Sequence, residues 1–73
     1  MKEVYLRGIY SQYVGLRDQK IADLNVMLNS PVGVGEHGDL SETIKKIIEE
    51  IDKYDSLIST LNNLIPKEED KSE

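Results

Sequence analysis

The chain has no cysteine, no tryptophan and no phenylalanine, and only one histidine and two prolines in 73 residues. Each shortage closes a route to stability or function. Without cysteine there is no disulfide framework and no thiolate metal site. A single histidine leaves a histidine-based metal centre without a second imidazole. No cofactor is therefore expected. Long apolar runs are missing as well. No stretch of about 18 apolar residues occurs, so the sequence predicts no membrane span. The opening MKEVYLRGIY has neither a continuous apolar segment nor a small-residue cleavage site of the signal-peptide kind. A cytoplasmic location is the expectation. A chain this short builds a small core and usually needs a staple. With disulfides and metal removed, a partner chain is the staple that remains.

Positive charge is also in short supply. The formal net charge is −5, and it is unevenly spread. Residues 1–29 carry four basic side chains against three acids, and residues 30–73 carry five lysines against eleven acids. A general nucleic-acid binder has the opposite balance, so no such partner is expected.

What is present is a long helical pattern. From Leu40 the apolar residues run Ile44, Ile47, Ile51, Tyr54, Ile58, Leu61 and Ile65. The spacing alternates four and three without a break, which is the heptad rule of a helix with one buried seam. Ile44, Ile47, Ile51, Tyr54, Ile58 and Leu61 are the predicted seam of an oligomer. Ile48, Leu57 and Leu64 lie beside that seam and widen it. Asp39 stands as an N-cap with Glu42 three residues on, the spacing of a capping box. Pro66 ends the pattern. Lys45/Glu49, Lys46/Glu50 and Glu49/Lys53 are spaced for pairing along the outer face, each pair contributing only about 0.3–0.5 kcal/mol.

Residues 3–29 predict a first helix with a broader apolar stripe. Tyr10, Val14, Ile21, Leu24 and Leu28 form its centre, with Arg17 set inside. Leu6, Ile9, Tyr13, Leu16 and Met27 flank it. Gly8 and Gly15 fall on one side of this helix and weaken it by about 1 kcal/mol each relative to alanine. The helix stops before Pro31. Residues 30–38 then connect the two helices, with three glycines in nine residues. The expected fold is all-α: an antiparallel hairpin over 1–65 (helix 3–29, loop 30–38, helix 39–65) and a disordered acidic tail at 66–73. One hairpin cannot cover so wide an apolar surface, so self-association into a helical bundle is expected.

Two groups of residues are candidates for binding. The first is the connection, with Gly33, Val34, Gly35, Glu36, His37 and Asp39. Glycines before a helix start can present backbone N–H groups to an anion. No phosphate fingerprint is present, however, and Glu36 and Asp39 carry the wrong charge for one. His37 has no serine or cysteine near it in sequence, and a lone histidine in a polar loop is ordinarily solvated. No catalytic residue is assigned, and the chain is expected not to be an enzyme. The second group is Tyr10, Tyr13, Arg17 and Lys20. Aromatic rings beside cations can hold a nucleotide-like ligand. The plainer reading makes the tyrosines core-edge residues with wet hydroxyls and pairs Arg17, lodged between chains, with an acid such as Asp52 or Asp55.

The stretch Val32-Gly33-Val34-Gly35-Glu36-His37, with Asp39 one residue beyond Gly38, resembles a segment of small uncharacterised helical-hairpin proteins of tailed bacteriophages. The resemblance covers the connection and the general plan of residues 20–65. It implies phage origin, a host-cell cytoplasmic setting and a helical hairpin, with no implied chemistry. The expected function is that of a non-enzymatic phage accessory protein. It would self-associate and bind a host protein, such as a defence or regulatory component. The alternatives are an oligomeric sponge for a nucleotide-like small molecule, or a structural virion or assembly component.

Overall fold

The structure, a computed structural model, describes the backbone of residues 2–29 and 37–66. Side-chain surroundings are described for residues 2–29 and 40–66. The described residues form two helices, α1 (Lys2–Asn29) and α2 (His37–Leu64), of 28 residues each. At 1.5 Å per residue each is about 42 Å long. They pack on one another as a hairpin, with Arg17 facing Asp55 and Lys20 facing Glu50. Residue numbers rise on one helix as they fall on the other, so the pairing is antiparallel. No described helix is long and apolar enough to cross a membrane. Of the expected tail at 66–73, residues 67–73 lie outside the described residues.

The unbroken heptad of α2 finds its partner in α1. Ile47, Ile58 and Leu61 are buried, and Leu40, Ile44, Ile51, Tyr54 and Ile65 are half-buried. The seam read as an oligomer contact therefore faces α1 of the same chain. On α1 the seam differs from the apolar stripe of the sequence reading. Leu6, Tyr10, Tyr13, Arg17, Lys20, Leu24 and Met27 are half-buried at four–three spacing, and Ile9 and Val14 beside them are half-buried too. Ile21 and Leu28, expected at the centre, are exposed. The physical reason lies in α2, whose Asp55 and Glu50 accept two cations into the seam. Charge matching, not hydrophobicity, fixes the middle of this contact.

Helix ends are formed by local chemistry. The Asn29 side-chain amide donates to the Asn25 carbonyl at 2.9 Å and adds a side-chain bond to the last turn of α1. The Ile65 amide donates to the Leu61 carbonyl at 2.9 Å and extends the bonding of α2 by one residue. α2 begins at His37, so Asp39 lies within its first turn and not at the N-cap. Acids remain favourable there because the first turn carries the positive end of the helix dipole.

The molecule is long and thin, with a radius of gyration of 17.0 Å and extents of 59 × 19 × 16 Å. A compact chain of this length has a radius of about 11 Å. Burial is correspondingly slight: among the described residues none has a side chain fully removed from solvent.

Two substitution sets test this account. Ile47→Asp places a charge in the driest part of the seam and should abolish the helical circular dichroism signal. Gly8 and Gly15 are helical, and a Cβ added at either meets nothing within 4 Å. Gly8→Ala and Gly15→Ala should each stabilise the chain by about 0.5–1 kcal/mol, raising the thermal midpoint by roughly 4–8 °C per kcal/mol.

Candidate functional site

The chemically richest part of the hairpin is the middle of its seam. Arg17 projects from α1 towards α2. Its Nη1 donates to Asp55 Oδ1 at 3.2 Å, and its Nε and Nη2 donate to Asp18 Oδ1 at 3.3 Å. One guanidinium thus joins a carboxylate of its own helix to one of the opposite helix, using the fork geometry that lysine lacks. The hydrogen bond to Asp55 pushes the Arg17 pKa above its ordinary value; desolvation opposes this and Asp18 adds to it. The group is therefore charged at every pH in ordinary use. A raised pKa contributes stability below the unfolded value and loses it only as pH climbs through the folded value, which lies in strong alkali.

One helical turn further along, Lys20 Nζ stands 3.2 Å from Glu50 Oε1, with both side chains about one-third exposed. Glu50, which the sequence spaced for Lys46, thus reaches across to α1. Lys45 pairs with Glu42 at 3.8 Å on the outer face. On the other side of Arg17, the rings of Tyr13 and Tyr54 lie 5.9 Å apart at a 34° tilt. Lys53 Nζ sits 5.3 Å from the Tyr54 ring centroid. Tyr10 lines a shallow open hollow with Arg7, Ser11, Asn62 and Ile65.

The four residues considered for a nucleotide-like ligand are thus successive positions of one seam. In the single hairpin three of them already have partners: Tyr13 has Tyr54, Arg17 has Asp18 and Asp55, and Lys20 has Glu50. An incoming anion would compete with carboxylates already in place. The expected acid partner of Arg17 is Asp55, supplied within the chain and not by another copy. Sequence reading passed over Lys20 as a seam residue, although it follows Arg17 by three and precedes Leu24 by four. That spacing was the available signal.

The connection residues Gly33, Val34, Gly35 and Glu36 lie outside the described residues. His37 and Asp39 belong to the first turn of α2, and their side chains are outside the described set. Among the described residues no group of three histidines or acids is placed to hold a metal ion. Compared with family models, curated proteins and solved structures, the chain has no significant match.

The seam pairs generate a prediction. Arg17→Leu adds apolar contact to the seam and leaves behind Asp55, which is more than half exposed and readily hydrated. Replacing a paired charge by a well-packed apolar group is often neutral or stabilising, while the charge specifies register. Thermal denaturation should show an equal or higher midpoint for Arg17→Leu. Amide exchange around Asp55 should become faster as the helices slip against one another.

Proposed function

We propose that this chain is a non-enzymatic binding protein that works as a self-associated bundle of hairpins. One observation carries the reading. The seam between α1 and α2 is already occupied, yet Leu16, Ile21, Leu28, Ile48 and Leu64 remain exposed beside it. Apolar surface of this extent, arranged along a helix pair, is the ordinary mark of an association surface. A two-helix layer becomes a stable bundle when a second layer covers it.

We infer the setting from the resemblance of residues 32–39 to tailed-phage hairpin proteins. It supports a phage accessory protein that acts on a host protein in the host cell. The connection and the first turn of α2, with Glu36, His37 and Asp39, are the proposed contact. Loops held at the end of a rigid scaffold are common sites of recognition. The nucleotide-sponge reading draws less support, because Arg17 and Lys20 already hold carboxylate partners.

Native mass spectrometry of tagged chain isolated from a bacterial host tests the proposal. The expected result is a homo-oligomer carrying a host polypeptide. Glu36→Ala and His37→Ala should remove the polypeptide without reducing helicity. A monomer with nothing bound would overturn the reading. An oligomer carrying a small-molecule mass that disappears in Arg17→Ala would replace it with the sponge. Closed or extended assembly with no host component would replace it with a structural role.

A further inference from the structure

We draw no further inference here: the strongest candidate, the exposed apolar face that Ile21 and Leu28 of α1 form with Ile48 of α2, carries none because nothing in the structure shows what covers it.

Discussion

The contact between two helices is a line, and only residues along that line are removed from water. Ile47, Ile58 and Leu61 reach burial because they lie on it. Every other described apolar residue of the hairpin is left partly wet by geometry, whatever its type. At about 25 cal/mol per Å² of apolar surface, a seam this narrow contributes little against the entropy of ordering two long helices. The remaining features of the structure follow from that shortfall: its elongation, its half-buried tyrosines and the apolar residues along both flanks.

The polar residues of the seam answer a different need. An antiparallel pair of helices with a uniformly apolar seam can slide by a heptad at little cost. Arg17 and Lys20 prevent this by having partners at single heights on α2. Their positions also divide the seam. Towards the termini it is lined by Leu6, Tyr10 and Tyr13 against Tyr54, Ile58 and Leu61. Towards the connection it is lined by Leu24 and Met27 against Ile44 and Ile47. Exposed ion pairs contribute little to stability, so their value here is in selecting one alignment over its neighbours.

The second helix was readable from its sequence because its seam is apolar at every position. Nothing competes with the four–three spacing from Leu40 to Ile65. The first helix is read with Tyr10, Arg17 and Leu24 on its stripe, as the structure has them, but the stripe leans towards Ile21 and Leu28 because the seam position Lys20 is a cation and the neighbouring flank of Val14, Ile21 and Leu28 is apolar. A rule that sorts residues by hydrophobicity moves the stripe towards the apolar flank. Only the complementary acids of the other helix move it back, and that information lies 30 residues from Lys20 and 38 from Arg17. The acid partner of Arg17 was legible because Asp55 was one of a few carboxylates beside the seam. The start of α2 was placed two residues late because Asp39 has the chemistry of a cap. A helix admits Gly38 in its first turn, where the cost of glycine is shared with unbonded amides.

Antiparallel pairing also sets the order in which contacts can close. The residues flanking the connection meet across a short span of chain, whereas Arg17 and Asp55 are 38 residues apart in sequence. Loop-closure entropy rises with that separation, so contacts next to the connection form at the lowest cost and the rest follow outward like a zip. Each new pair closes only a few residues beyond the last. The two ion pairs then stand midway along the path, where a misaligned zip is halted before the terminal halves engage. A fold assembled in this way has no long-range search to make, and its rate is governed by local steps on the microsecond scale of helix and hairpin formation.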